Sequence, residues 1–409
     1  MPALACFLSS LTEITIKDCN ALTSLTDGMI HNNVRLEVLR IIGCHSLKSI
    51  AREHLPSSLK EIELEYCEIQ QCVLDDGENS CASPSVLEKN INNSSSSTYL
   101  DLESLSVQSC PSLTRLWSSG RLPVTLKCIQ IEDCSNFKVL TSECQLSVAV
   151  EELTIDSCSN IESIAERFHD DACLRSIRLS YCKNLKSLPK GLNNLSHLHR
   201  RSIQGCHNLV SLPEDALPSN VVDVSIEDCD KLKAPLPTGK LSSLQLLTLI
   251  ECPGIVFFPE EGLSTNLTDL EISGDNIYKP LVKWGFDKFS SLRKHCINRC
   301  SDAVSFPEVE KGVILPTSLT LIRISDFPKL ERLSSKGFHY LLSLEQLKVS
   351  SCPNFTSFPE AGFPSSLLFL DIQGCPLLEN KFKKGKGQEW PKIAHIPSVL
   401  IGGKSIHRL

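Results

Sequence analysis

The chain has 409 residues, 41% hydrophobic and 22% charged, with a net charge of −7 and a pI near 5.9. That acidic balance argues against nucleic acid as the main partner, and no uninterrupted apolar run approaches membrane-spanning length. The opening residues, Met1 to Leu11, lack the basic start of a signal peptide and lead straight into a repeating pattern.

Residues 1–10 read as the tail of a preceding repeat, because Leu11, Ile14, Ile16, Cys19, Leu22 and Leu25 already make a complete unit. A repeat stack needs its terminal core covered, and no polar cap precedes this unit, so the start suggests a truncated gene model or a chain cut from a longer protein. Further units follow at Leu36–Ile50 and Leu59–Val73, the second degenerate after Cys67. The Ser- and Asn-rich stretch 75–97 cannot build a core and reads as an insertion from the stack. From Leu102 to Cys375 the pattern runs with little interruption. Leu174, Ile177, Leu179, Cys182, Leu185 and Leu188 give its clearest statement.

The Leu-x-Ile part of each unit alternates apolar and polar residues, the period of a strand with two unlike faces. After the cysteine the spacing lengthens to three, so the chain turns and runs back. A unit of this size cannot bury its own apolar edge, but stacked copies share one continuous core. The expectation is an α/β solenoid of about 15 repeats over 11–378, with a parallel β-ladder on the concave face of a horseshoe. At a strand spacing of about 4.8 Å the ladder would run for roughly 70 Å, long enough to hold a protein. Steps such as Leu122-Pro123 and Phe363-Pro364 lead into strands, where proline's missing amide hydrogen does no harm. Single helical turns are expected near Leu192–Leu195 and Lys288–Ser291, so the convex side should be mostly irregular. Arg201, His295 and Asp275 break the pattern where an apolar residue or cysteine belongs, and read as local irregularities. Residues 379–409 are expected to form a C-terminal cap and basic tail, with Lys381, Lys383, Lys384 and Lys386 solvated and Trp390, Ile393, Ile396 and Val399 covering the last repeat.

Of the 20 cysteines, 13 occupy one position of the repeat. A buried small residue is wanted there, so they read as core thiols that stay free in a reducing cytosol. No arrangement points to catalysis or to a bound cofactor. His295, Cys296 and Cys300 come nearest to a metal cluster without matching a known spacing. Gly403-Lys404-Ser405 imitates the end of a phosphate loop, but Ser398 stands where that loop needs glycine. The expectation is a chain with no enzymatic activity, no cofactor and no metal. What remains is the ladder face, where Glu61, Glu63, Glu65, Gln130, Glu132, Thr154, Asp156, Arg178, Ser180, Glu227, Glu271, Arg323, Lys348 and Asp371 should point outward. They are the candidate partner-binding residues. Glu61, Glu63 and Glu65, with Tyr66 beside them, form an acidic spot suited to a basic partner.

This repeat resembles the leucine-rich repeat, in the variant with cysteine where asparagine is common. The Leu-Pro-x-x-Leu entries, Leu-Pro exits such as Leu188-Pro189 and Leu212-Pro213, and the ending Glu389-Trp390-Pro391-Lys392-Ile393 are similar to the repeat region of plant coiled-coil, nucleotide-binding, leucine-rich-repeat (NLR) disease resistance proteins. The resemblance implies a cytoplasmic recognition module for a pathogen effector or a guarded host protein. It also implies a possible partner in a nucleotide-binding region, of which this chain holds no motif. The alternative is the substrate-binding arm of a ubiquitin-ligase adaptor, which would call for a box of about 40 residues ahead of the repeats. An extracellular receptor domain is permitted by the sequons at Asn194, Asn266 and Asn354.

Overall fold

The computed structural model describes residues 11–25, 33–51, 55–75, 100–212, 217–233, 235–236, 241–257, 263–308, 312–383 and 387–406. The remnant 1–10, residues 76–97 of the insertion, and Lys384 and Lys386 of the basic run lie outside them. The chain divides into two compact units, Met1–Pro218 and Ser219–Leu409.

In the first unit the alternating stretches form the strands Glu13–Lys17, Val38–Ile42, Glu61–Glu65, Ser104–Gln108, Cys128–Glu132, Glu152–Asp156, Ser176–Ser180 and Arg200–Gln204. Each pairs in parallel with the next, residue for residue, as in Leu153↔Ile177 and Ile155↔Leu179. The second unit repeats the arrangement with Asp223–Glu227, Leu246–Ile250, Asp269–Ser273, Lys294–Asn298, Leu321–Ser325, Gln346–Ser350, Phe369–Gln373 and Ser398–Ile401. A short antiparallel partner, Lys404–Ser405, closes its last strand. Both units are parallel solenoids.

The register follows from burial. In most strands the second and fourth residues are buried and the first, third and fifth are not. Slipping one strand by one residue would turn its apolar pair outward, so the core holds the register. Leu36, Leu39, Ile41, Cys44, Leu47 and Ile50 all have zero exposure, and the other units follow suit. A buried leucine of this kind contributes roughly 1.5–3 kcal/mol.

A feature absent from the sequence reading governs each turn. The residue just before the cysteine position has a positive φ in every unit, whether Asp18, Tyr66, Ser109, Asp133 and Ser157 or Gly43, Gly205 and Gly374. Such a conformation strains a non-glycine residue. The ladder compensates by one more bond: the Asp133 amide donates to the Asp156 carbonyl at 3.0 Å, and the Ser351 amide to the Gln373 carbonyl at 2.9 Å. The following thiol then points inward and donates to backbone oxygens. Cys182 Sγ lies 3.4 Å from the Ser180 carbonyl and 3.6 Å from the Ile155 carbonyl of the preceding strand. Beside it, side-chain amides make a ladder of their own, Asn184 Nδ2 to Asn160 Oδ1 at 3.2 Å and Asn160 Nδ2 to Asn136 Oδ1 at 3.4 Å.

The return side is more ordered than expected. Small parallel pairings join Ile50–Ala51, Gln71–Asp75 and Leu113–Trp117, and also Gln145–Leu146 with Arg167–Phe168. A 3-10 turn forms at Leu192–Asn194, and another at Phe286–Lys288, slightly ahead of its expected place. Asp275, at a cysteine position, opens a ten-residue helix, Asp275–Trp284, with glycines at both caps and Ile277, Tyr278 and Leu281 turned into the core. Asp275 is thus a change of local structure: its carboxylate sits in the first turn, where the helix dipole favours it.

Candidate functional site: the open ladder faces

Parallel sheets are usually covered on both faces. Here each ladder is packed against the core on one side and presents its odd-numbered strand positions on the other. In the first unit Glu61, Glu63 and Glu65 share one side of their strand, half-buried, with Tyr66 53% exposed beside them. Gln130 and Glu132 stand on the strand after next, Thr154 and Asp156 follow them in register, and Arg178 is exposed on the next strand. In the second unit Glu227, Glu271, Arg323, Lys348 and Asp371 occupy the same side of their five strands and are half-buried.

Two expectations need correction. Ser180 faces the ladder side but is only 4% exposed. Its short side chain sits in register between Asp156 and Gln204 on the neighbouring strands. The acidic spot is also partly neutralised from within. Arg40, on the neighbouring strand, forms ion pairs with Glu63 at 2.5 Å, with Glu61 at 3.7 Å, and with Glu13. The Glu63 hydrogen bond is the first cause holding the guanidinium pKa above its usual value. Glu65 stays outside this pairing, and burial followed by the Glu63 hydrogen bond raises its pKa.

Sequence reasoning named only part of each face. The same strand period places Arg40, Ser106 and Glu152 on the first face. On the second it places Leu246, Cys296, Leu321 and Phe369. The two differ in character. Along the four strands from Glu61 to Asp156 the outward positions hold carboxylates, hydroxyls, amides and Cys128, with no basic residue. The second unit mixes cations with apolar side chains: Arg323 and Lys348 lie in register, and Lys348 Nζ lies 5.6 Å from the Phe369 ring centroid. Exposed pairs edge the first face, Glu37 to Lys60 at 3.0 Å, Glu103 to Lys127 at 2.7 Å and Glu151 to Arg175 at 3.4 Å. The hydrogen bond between Glu103 and Lys127 lowers the carboxyl pKa and raises the ammonium.

The pattern breaks at Arg201 and His295 are buried, at 1% and 0% exposure. His295 Nδ1 lies 3.2 Å from the Leu270 carbonyl, and its ring centroid is 4.9 Å from that of Phe286. Burial pushes its pKa down to about 4. His295 and Cys296 are strand neighbours and so point to opposite sides. Some of the stacked thiols are held protonated: Cys110 is pushed up to about 12, first by the Cys134 thiol beside it and also by burial. In Cys182 the neighbouring Cys206 thiol is the first cause of a large rise and burial the second. None of the described cysteines is joined in a disulfide. Among the described residues no helix is long and apolar enough to cross a membrane.

No family model matches the chain. An Arabidopsis thaliana protein named "Putative disease resistance protein At3g14460" is 33% identical over 126 residues, 31% of this chain and 8% of that protein's length. The chain therefore matches less than a tenth of that relative. Among solved structures, the Leptospira interrogans LRR protein LIC12759 is 13% identical at a TM-score of 0.43, covering 96% of this chain and 97% of that one. The leucine-rich repeat domain of the type III effector XopL is 19% identical at 0.31, covering 52% of this chain and 75% of that one. With its strand, left-handed turn and inward thiol repeated through both units, the chain is a leucine-rich-repeat solenoid, similar to the leucine-rich-repeat region of plant disease resistance proteins.

Proposed function

We infer that this chain is a non-enzymatic protein-recognition module of a plant intracellular immune receptor, sensing a pathogen effector or a guarded host protein in the cytoplasm. One observation carries the reading: among the described residues each unit leaves one side of its parallel ladder uncovered, with charged and polar side chains in register across it. Rigid strands hold those groups without an ordering cost on binding, and the period of the strand spaces them for a partner's surface. The similarity to a disease resistance protein supports the defence setting. A reducing compartment is the one in which thiols stacked a strand apart stay thiols. On this reading the repeats over 11–378 form the recognition surface and 379–409 cap it, while a nucleotide-binding region would be a separate partner.

The test is co-precipitation of the full chain with candidate effectors and host proteins, comparing face and return-side variants. Glu132→Lys with Asp156→Lys should abolish capture of a partner of the first unit, while Ser163→Lys on the return side should leave it intact. Partners lost only with the return-side change, or reproducible turnover of any substrate by the purified chain, would overturn the reading.

A further inference from the structure

The ladder face of the second unit carries an arrangement that its own fold does not explain. Arg323 and Lys348 stand directly opposite one another on adjacent parallel strands. Like charges so placed repel, and among the described residues neither has a carboxylate within ion-pair distance. Carboxylates are near enough in sequence register to have served. Asp371 is the next residue across from Lys348, yet it accepts hydrogen bonds from Gln373 Nε2 at 3.1 and 3.2 Å. The lysine leans over the Phe369 ring instead. On the other side, Cys296 separates Arg323 from Glu271, and Lys294 is matched to Asp269 at 3.6 Å. The two cations are flanked by the half-buried apolar side chains of Leu321 and Phe369.

We propose that Arg323 and Lys348 form an oxyanion-reading pair that docks an acidic protein segment, whose carboxylate sits between the two cations while a neighbouring apolar side chain packs on Phe369 and Leu321. The inference rests on the ladder faces being protein-recognition surfaces and gives one of them its partner chemistry. Charge complementarity selects the acidic class: a guanidinium offers a planar fork of donors to a carboxylate, and the ammonium adds a point charge. The ring and leucine favour a protein segment over a free anion, which has nothing to place on them.

Fluorescence anisotropy on the full chain tests this, with a labelled peptide alternating Glu and Leu and a control alternating Lys and Leu. The acidic peptide should bind and the basic one should not. Arg323→Glu with Lys348→Glu should weaken binding by at least about tenfold, and added salt should weaken it as well. Arg323→Lys should keep most of the affinity. Arg323→Gln, checked by its melting curve, serves if the double variant does not fold. Equal binding by wild type and double variant, equal binding of both peptides, or full competition by inorganic phosphate at matched ionic strength would overturn the proposal. If the acidic peptide fails while Glu132→Lys with Asp156→Lys still abolishes partner capture, this inference falls and the wider reading stands.

Discussion

His295 should make the second unit acid-sensitive, and the size of the effect follows from its surroundings. The imidazole occupies an apolar column between Leu270 and Ile322, has zero exposure, and is held near a folded-state pKa of about 4 against an ordinary 6.5. Its Nε2 has no hydrogen-bond partner among the described residues. Above pH 6.5 the ring is neutral in both folded and unfolded chains and contributes no pH dependence. As pH falls below 6.5 the unfolded chain takes up the proton first, so stability declines until the folded form also protonates near pH 4. At about 1.4 kcal/mol for each pH unit of separation, the loss reaches about 3 kcal/mol. His295→Leu should remove it. Urea unfolding followed by tryptophan fluorescence in a Trp117→Phe background, which leaves Trp284 and Trp390, reads the same unit; the Trp284 ring centroid is 5.1 Å from that of Phe289. The wild-type midpoint should fall from pH 7 to pH 4.5 by much more than that of the leucine variant. Parallel pH profiles for the two proteins would refute the reasoning.

The repeat geometry yields further tests. Cys182→Ser should cost about 1–2 kcal/mol by burying a stronger polar group, while Glu63→Ser, a half-exposed ion-pair change, should cost less than about 1 kcal/mol in the same denaturation series. Gly205→Ala places a Cβ 2.5 Å from Tyr181 Cδ1 at a φ of +63° and should destabilise by roughly 1–3 kcal/mol. Gly312→Ala, with φ of +80° and nothing within 4 Å, should cost less in thermal melting. Among the described cysteines, a thiol reagent applied to the native chain should label exposed Cys19 and Cys144 ahead of the buried ladder, with peptide mapping as the readout. Fast labelling of Cys110 or Cys182 would contradict their burial.

The strands were legible because their determinant is local. A period of two with apolar second and fourth positions, as in Glu152–Asp156, allows one register, and every ladder pairing follows from it. The left-handed turn was not legible. Its residue is Asp, Ser, Tyr, Glu, Arg or Gly, and only the position ahead of the cysteine is common to them. The short return-side strands depend on the spacing between neighbouring repeats, which no single repeat encodes. The helix Asp275–Trp284 hid because one aspartate in a cysteine position looks like noise, although Gly274 and Gly285 bracket it in the sequence. On the open faces, strand phase placed the named side chains on the correct side. It could not show that Arg40 on the preceding strand pairs with Glu61 and Glu63, or that Ser180 is buried, because both depend on the neighbouring strands.

The account's central claim is that a protein partner lies across the open ladder faces. The most direct measurement installs a photo-crosslinking amino acid at Thr154 or Thr248, on the two faces, and at Ser163 on the return side, in the chain expressed in leaf cells challenged with a pathogen. The account predicts a crosslinked protein from one or both face positions and none from Ser163. Crosslinks from Ser163 with none from either face would contradict it.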